Sequence, residues 1–282
     1  MLTFSKMHGI GNSYIYVNCF QESVSDPEAL SKFVSDVRFG IGSDGLILIL
    51  PSEIADFKMR IFNADGSEAM MCGNGIRCVG KYVYDMGMTQ KTEISVETNS
   101  GIKYLTLYPG QDGKIQNVKV DMGMAILSSK EIPVRSEQET FIAQPIQIQD
   151  KEYTVTCVSM GNPHAVVFFP EVDHLSLETI GPLFEHHTLF PDRVNTEFIQ
   201  VIDANTLKMR VWERGSGETF ACGTGACASV VAAVLNGYCQ KEVPVLVHLR
   251  GGDLQIIYHN DGSVTMIGPA TYVFEGKMEV SV

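Results

Sequence analysis

Two cysteines stand in the same short pattern at two places in the chain, and their side chains are well suited to proton transfer. The pattern Glu-x-x-x-Cys-Gly-x-Gly occurs at residues 68–75 around Cys72 and at residues 218–225 around Cys222. A cysteine thiol has a pKa near ~8.5, which a helix N-terminus can lower, so thiol and thiolate are both accessible near neutral pH. The glycines are expected to let the backbone turn sharply and approach a ligand closely. The two loops therefore predict a pair of acid–base groups.

The chain also matches itself at a constant shift of 150 residues. Gly11-Asn12 falls on Gly161-Asn162, and residues 58–108 align without gaps on residues 208–258. The period is far above the ~20 to 50 residues of stacked repeats, which indicates one duplicated domain. Inverting a tetrahedral carbon requires a base on one face and an acid on the other. Two equivalent loops that meet in a cleft would supply both groups.

Each copy is predicted to carry its cysteine between a strand and a helix. Strands are expected at residues 57–63 and 207–213, and apolar residues at helical spacing follow from Ile76 to Val83, with Gly87 as the C-terminal stop. The second helix, 226–235, is apolar or small on nearly all sides and must be enclosed. Further strands are predicted at 92–97, 102–108, 115–120, 153–158, 165–169, 243–248, 254–258 and 263–267. We expect the α+β class, with two pseudo-symmetric domains that each wrap a mixed or antiparallel sheet round a central helix.

The expected domain boundaries follow from the repeat and from the composition of the connecting segments. Residues 1–121, together with roughly 271–282, are assigned to an N-terminal domain, and residues 122–270 to a C-terminal domain. The segment 122–145, with two prolines and many polar residues, is interpreted as the crossing between the halves. The active site is expected in the cleft between the two domains.

Composition narrows the class of partner. The formal net charge is −12 with scattered Lys and Arg, which disfavours nucleic acid and anionic membrane surfaces and leaves a small molecule as the expected partner. No apolar stretch approaches the ~18 residues of a membrane span, and the N-terminus lacks a signal peptide's apolar core. The seven cysteines are an odd number at irregular spacing, which favours a reducing compartment. We expect a cytoplasmic protein.

Six longer motifs resemble those of a known enzyme family. They are FSKMHGIGN (4–12), FNADGSE (62–68), CGNGIRC (72–78), MGNPH (160–164), ERGSGET (213–219) and ACGTGA (221–226). Together they closely resemble the diaminopimelate epimerase family, nearly from end to end of the chain. The resemblance implies interconversion of LL- and meso-2,6-diaminopimelate in lysine and peptidoglycan precursor synthesis, without pyridoxal phosphate, metal or other cofactor. It also implies a homodimer.

The resemblance assigns roles to individual residues. Cys72 and Cys222 become the acid–base pair, and His164 becomes a helper near the reacting centre. The implied substrate-binding residues are Asn12, Asp44, Asn63, Gly73, Asn74, Asn162, Asn195, Glu213, Arg214, Gly223 and Thr224. Arg214 suits a distal carboxylate and Glu213 a distal ammonium group, while backbone N–H groups of the two loops suit the reacting carboxylate. Asp44 stands where other family members carry Gln.

Several alternative interpretations compete with these roles. The nearest is a related two-cysteine racemase for proline, hydroxyproline, histidine or another single amino acid, although the charged pair Glu213-Arg214 would then lack a distal group. Another is a redox or metal-binding module, but the cysteine spacings do not form the paired Cys-x-x-Cys pattern of structural zinc. His164 could be a packed turn histidine, and His186-His187 a solvated surface pair. Structural packing is expected of Cys19, Cys78, Cys157, Cys227 and Cys239.

Overall fold

The computed structural model describes residues 1–280 of the chain, which divide into two compact units. Unit 1 comprises Met1–Val120 and the segment from Ile267 onward, and unit 2 comprises Asp121–Met266. The predicted boundaries at 121 and 271 fall near these points, and residues 281–282 of the C-terminal segment assigned to the first domain lie outside the described residues. No helix in the described range is both long and apolar enough to cross a bilayer.

The helices and strands follow one another in the same order in both halves around the cysteine loops. In chain order the elements up to the crossing are β1 (Leu2–Gly9), β2 (Asn12–Asn18), α1 (Pro27–Ser35), β3 (Gly45–Leu50), β4 (Phe57–Asn63), β5 (Glu68–Ala69), α2 (Gly73–Asp85), β6 (Glu93–Thr98), β7 (Gly101–Pro109) and β8 (Ile115–Met124). The rest are β9 (Gln144–Ile148), β10 (Lys151–Ser159), β11 (Pro163–Phe168), α3 (Leu177–Glu185), β12 (Asn195–Asp203), β13 (Thr206–Glu213), β14 (Gly217–Glu218), α4 (Gly223–Leu235), β15 (Val245–Leu249), β16 (Gly252–Tyr258), β17 (Ser263–Pro269) and β18 (Thr271–Met278).

Unit 1 is built on a mixed sheet that holds helix α2. β1 pairs antiparallel with both β2 and β18, β2 lies parallel to β3, and β3 pairs antiparallel with β4. The sheet continues through the parallel pair β4 and β6 to the antiparallel β7 and β8. α2 packs on β1, β2, β7 and β18, and is buried along its length from Gly73 to Val83. The enclosure fixes the first turn of α2, where Cys72 is located.

Unit 2 repeats this arrangement around helix α4. β9, β10 and β11 pair antiparallel, β11 lies parallel to β12, and β12 pairs antiparallel with β13. α4 packs on β10, β11, β12, β13 and β16, and a separate core of aromatic and aliphatic residues includes Phe184 and Phe198 with ring centroids 5.5 Å apart. The prediction that the second helix is enclosed is confirmed, as is the α+β class with two similar halves.

The glycines after each cysteine do not provide the sharp turn that was expected of them. Neither Gly75 nor Gly225 adopts a positive φ. A Cβ at Gly75 would lie 2.5 Å from Ile47 Cδ1, and a Cβ at Gly225 would lie 2.6 Å from Glu197 Oε1. These positions are therefore glycine because a neighbouring strand's side chain occupies the space. The chain turns sharply because an extended cysteine is followed at once by a helix. In the second copy this helix begins three residues earlier than predicted.

Candidate active site

Cys222 caps the N-terminus of α4 and is held against it. Its backbone is extended, with φ −123° and ψ 106°, and its Sγ accepts a hydrogen bond from the N–H of Gly225 at 3.3 Å. Thr224 Oγ1 lies 3.6 Å from the same sulfur, and the residue is 5% exposed. The first N–H groups of a helix have no partner within the helix and carry its positive dipole end. The thiol is thus placed among donors that suit an anionic ligand.

A buried histidine and glutamate lie beside Cys222. His164 Nδ1 lies 2.7 Å from Glu197 Oε1, and His164 Nε2 lies 3.0 Å from Asn162 Oδ1. The parallel pairing of β11 and β12 brings the two strands side by side, and both side chains of the pair are fully buried. Ligand-type atoms of His164, Glu197 and Cys222 all lie within 4.8 Å of one another. The three groups therefore form one continuous titratable cluster.

This environment favours the protonated form of Cys222. Burial raises the pKa of the Cys222 thiol well above its usual value, and the charges of Glu213 and Glu197 raise it further. Hydrogen bonds from Thr224 and the Gly225 N–H act in the opposite direction but are the smaller effects. The helix N-terminus alone would favour a thiolate. Desolvation and two nearby carboxylates outweigh it here.

Glu213, at the end of β13, lies close to the thiol. Burial raises the pKa of its carboxyl group, and the charge of Glu197 adds to this, while hydrogen bonds from Thr219 and Cys222 oppose the rise. A carboxyl group with a raised pKa in contact with a thiol can exchange a proton with it. Glu213 therefore lies beside the sulfur. From the sequence it was expected to recognise the distal end of the substrate instead.

Asn195 joins the start of β12 to the loop after β13. Its Nδ2 donates to Pro163 O at 3.0 Å, and its Oδ1 accepts from the Arg214 backbone N–H at 2.9 Å. The Arg214 guanidinium donates to Asp192 O at 2.9 Å. The predicted residues of unit 2, Asn162, His164, Asn195, Glu213, Arg214, Cys222, Gly223 and Thr224, are thus carried by elements that pack together within that unit.

Cys72 occupies the corresponding position in unit 1. It caps α2, with its Sγ accepting from the Gly75 N–H at 3.3 Å and donating to Asn12 Oδ1 at 3.3 Å. Asn12 Nδ2 in turn donates to Asp44 Oδ2 at 2.9 Å, and the same carboxylate oxygen accepts from the Ser13 N–H at 2.8 Å. Asp44 therefore orients Asn12, which contacts the thiol. The amide is fixed through its nitrogen, so its oxygen faces the sulfur.

The remaining predicted residues of unit 1 lie on the same elements. Asn63 ends β4 opposite Gly45 and donates from Nδ2 to Ser67 Oγ at 3.0 Å. Gly73 is the first residue of α2, and Asn74 follows it at 2% exposure. Gly73 and Gly223 therefore hold the same first helical position in the two copies. Their backbone N–H groups belong to the helix N-termini that suit a carboxylate.

Two neighbours of the thiols were missed from the sequence. Tyr14 forms hydrogen bonds with Asn12 and Cys72, and burial, followed by the charges of Cys72 and Asp44, raises its pKa well above the usual value. Glu197 lies beside Cys222 as described above. Each follows a predicted residue by two positions in a strand, Tyr14 after Asn12 and Glu197 after Asn195. Because alternate strand residues share a face, that spacing was the available signal.

Matching ion pairs brace the two loops. Arg60 contacts Glu68 at 2.8 and 2.9 Å, and Arg210 contacts Glu218 at the same two distances. Arg210 also donates to three backbone carbonyls at 2.6 to 3.1 Å, and Arg250 lies 3.1 Å from Glu218. Each glutamate opens the repeated cysteine motif, so the pair ties the motif to the preceding strand.

The donor set of unit 2 includes the residue types that bind zinc, but its geometry is that of a hydrogen-bonded cluster. His164 Nδ1 and Glu197 Oε1 are 2.7 Å apart. Two ligand atoms on a tetrahedral zinc ion stand about 3.3 Å apart, as follows from metal–ligand distances of ~2.0 Å. The shorter distance fits a shared proton, which agrees with an acid–base role for the group.

A solved structure shares the architecture of this chain. The structure of a probable proline racemase from Agrobacterium radiobacter, with bound carbonate, aligns over the whole of this chain and 94% of its own with a TM-score of 0.74 at 14% identity. The two chains therefore share one fold. The chain belongs to the diaminopimelate epimerase family, whose model matches residues 4–128 and 156–273.

Curated relatives bear the same family name at high identity. The diaminopimelate epimerase of Acetivibrio thermocellus is 61% identical over 99% of each chain. That of Agathobacter rectalis is 57% identical over 99% of this chain and 100% of its own length. The family resemblance predicted from the motifs is therefore confirmed over essentially the full length.

Proposed function

We propose that this protein interconverts LL- and meso-2,6-diaminopimelate by a two-thiol mechanism, in lysine and peptidoglycan precursor synthesis. The observation that carries the proposal is that Cys72 and Cys222 cap two equivalent helices in the same motif. Each sulfur accepts a hydrogen bond from the N–H of the third helical residue. Membership of the diaminopimelate epimerase family indicates which substrate the protein acts on. The duplicated geometry supplies two equivalent proton carriers.

In the proposed reaction one cysteine loop acts on each face of the substrate carbon. One cysteine thiolate removes the α-proton and becomes a thiol, and the other thiol delivers its proton to the opposite face and becomes a thiolate. The number of protons is conserved and the configuration inverts. Helix N–H groups at Gly73-Asn74 and Gly223-Thr224 would stabilise the negative charge that develops on the reacting carboxylate. No cofactor is needed in this scheme.

The other predicted residues are proposed to bind the rest of the substrate. Asn12, Asn63, Asn162 and Asn195 offer amide groups near the two loops, and Arg214 would pair with the distal carboxylate. Asp44 acts by orienting Asn12, in keeping with its hydrogen bond of 2.9 Å. The reduced thiols required by the reaction support a cytoplasmic location. The homodimer is proposed from the family resemblance, and light scattering would test it.

The direct test is incubation with LL-diaminopimelate in D2O without added cofactor. We expect meso product with deuterium at the inverted carbon, and unchanged activity in the presence of a chelator. Exchange on proline or hydroxyproline instead would assign the chain to the related racemases. Failure to exchange any amino-acid α-proton would contradict the proposal.

The two-thiol mechanism is tested separately by Cys72→Ser and Cys222→Ser. Each should lower turnover by several orders of magnitude while substrate binding survives, because serine keeps the size but not the acidity of the thiol. Cys239→Ser, a change at a cysteine outside both motifs, is the matched control and should keep full activity. Full activity in either active-site variant would refute the mechanism.

A further inference from the structure

We propose that Glu197 is a positioning residue of the second half of the site, which fixes His164 through Nδ1 and keeps Cys222 as the protonated, proton-donating thiol of the empty enzyme. The inference rests on the proposed epimerisation for its catalytic meaning. It rests on contacts within unit 2 for its physical basis.

The internal repeat shows that this fold does not require a carboxyl group at position 197. At the 150-residue shift, Glu197 corresponds to Ile47 and His164 corresponds to Tyr14. The correspondence is supported by the glycines, because the space at Gly75 is taken by Ile47 and the equivalent space at Gly225 is taken by Glu197. Unit 1 thus packs an apolar side chain where unit 2 buries an acid.

Burying this acid is unfavourable, so its presence calls for a functional explanation. Glu197 and its partner His164 are both fully buried, and Glu197 Oε2 has no hydrogen-bond partner among the described residues. A buried carboxyl group with one unsatisfied oxygen destabilises the folded state relative to a well-packed apolar side chain. Sequences that break a local rule in this way generally do so at functional positions.

The hydrogen bond to His164 determines how the ring is presented. Because His164 Nδ1 lies 2.7 Å from Glu197 Oε1 and Nε2 lies 3.0 Å from Asn162 Oδ1, both ring nitrogens have a polar partner and the ring cannot rotate freely. Such carboxylate–histidine pairs fix the tautomer and orientation of the imidazole. The resemblance makes His164 a helper near the reacting centre, so Glu197 acts through His164 and not on the substrate directly.

The second effect of Glu197 is electrostatic. Its carboxylate lies within 4.8 Å of the Cys222 sulfur, in a region from which water is excluded. A like charge at such a distance disfavours ionisation of the thiol, and the pKa of Cys222 is raised by Glu197 as well as by burial and Glu213. In unit 1 the corresponding residue is an uncharged isoleucine. The two copies therefore differ in charge beside the cysteine loop, at Ile47 in unit 1 and Glu197 in unit 2.

The test measures the alkylation rate of Cys222 by iodoacetamide against pH, without substrate, with peptide mass mapping to assign the site. In Glu197→Gln the midpoint should move about one pH unit or more toward lower pH, because a carboxylate at this distance shifts a neighbouring pKa by ~1 to 3 units. Glu197→Ile, the residue of the first copy, should shift it in the same direction and guards against misfolding of the amide variant. Glu185→Gln, which removes another buried carboxylate of unit 2, should leave the midpoint unchanged.

Kinetics on diaminopimelate complete the test. In Glu197→Gln, kcat should fall about 10- to 100-fold with KM nearly unchanged, as expected for loss of a group that supports an acid–base residue. A midpoint that stays at the parent value, or a shifted midpoint with parental kcat, would overturn the proposal. If the parent protein does not act on diaminopimelate, the proposed function fails, whereas the alkylation midpoint still decides the role of Glu197 toward Cys222.

Discussion

Replacing Gly225 with alanine should damage unit 2 more than the equivalent change, Gly75→Ala, damages unit 1. The new Cβ at position 225 would lie 2.6 Å from Glu197 Oε1, about 0.8 Å short of ordinary contact. The His164–Glu197 hydrogen bond is 2.7 Å long, and a shift of that size would take it beyond the ~3.2 Å limit of a good bond. Alanine at this position therefore competes directly with the buried pair.

The expected magnitudes follow from that competition. Losing a buried hydrogen bond to a charged group costs about 1.5 to 3 kcal/mol, and the higher helix propensity of alanine returns at most ~1 kcal/mol. Gly225→Ala should therefore lower the free energy of unfolding by roughly 1 to 2 kcal/mol. At Gly75 the obstacle is the terminal methyl group of Ile47, which can repack, so the net change there should be about 0 to 1 kcal/mol.

Urea denaturation can measure both effects in parallel. Trp212 is the only tryptophan of the chain and lies in unit 2, so its fluorescence reports on the unit that carries Gly225. Circular dichroism reports on both variants, and turnover should fall about 10-fold or more only in Gly225→Ala, because only there is an acid–base pair displaced. A Gly225→Ala protein as stable and active as the parent would refute the reasoning, as would a larger loss in Gly75→Ala.

Three further predictions concern stability. Burial raises the pKa of Cys78 to about 11, so the folded chain keeps a proton that the unfolded chain loses, and stability should fall between about pH 9 and 11. In Cys78→Ala, urea midpoints should show that fall reduced by about 2 to 3 kcal/mol, and an unchanged pH profile would contradict this. Arg210→Lys should cost about 2 to 3 kcal/mol but Arg60→Lys less than ~1 kcal/mol, because the Arg210 side chain is 14% exposed and the Arg60 side chain 35%; equal losses would be inconsistent with that difference. Gly181→Ala places a Cβ against the Trp212 ring and should shift its fluorescence and destabilise unit 2 by about 1 to 3 kcal/mol, whereas an unshifted spectrum would argue against the overlap.

Local patterning accounts for the parts of the fold that were predicted well. Strand β4 matches its predicted range to the residue, and β13 differs by one position, because both alternate cleanly and end at turns. The start of α4 was placed three residues late, since cysteine is not among the usual capping residues Ser, Thr, Asp and Asn. Here a sulfur atom accepts the capping hydrogen bond that an oxygen normally accepts. Strands β1, β2, β3 and β12 were not predicted individually.

The candidate site likewise contains residues that could be predicted from the sequence and residues that could not. Cys72 and Cys222 could be found because duplication marks them in the sequence itself. Glu197 and Tyr14 could not be assigned to a thiol, because their positions depend on which strands pair. The parallel pairing of β11 with β12 joins segments about 30 residues apart, and no local pattern specifies it. The direction of the Cys222 pKa has the same origin, since it depends on carboxylates that other elements bring to the sulfur.

The enclosure of α4 also determines how the site can move. The helix is buried from its first residue, Gly223, and has no polar face that could slide toward solvent. Cys222 and the Gly225 N–H are consequently as rigid as the core of unit 2, and their amide hydrogens should exchange only through large-scale opening of that unit. Any motion that admits or releases a ligand must then arise outside this helix. The Cys222 sulfur is a fixed point to which a ligand has to be brought.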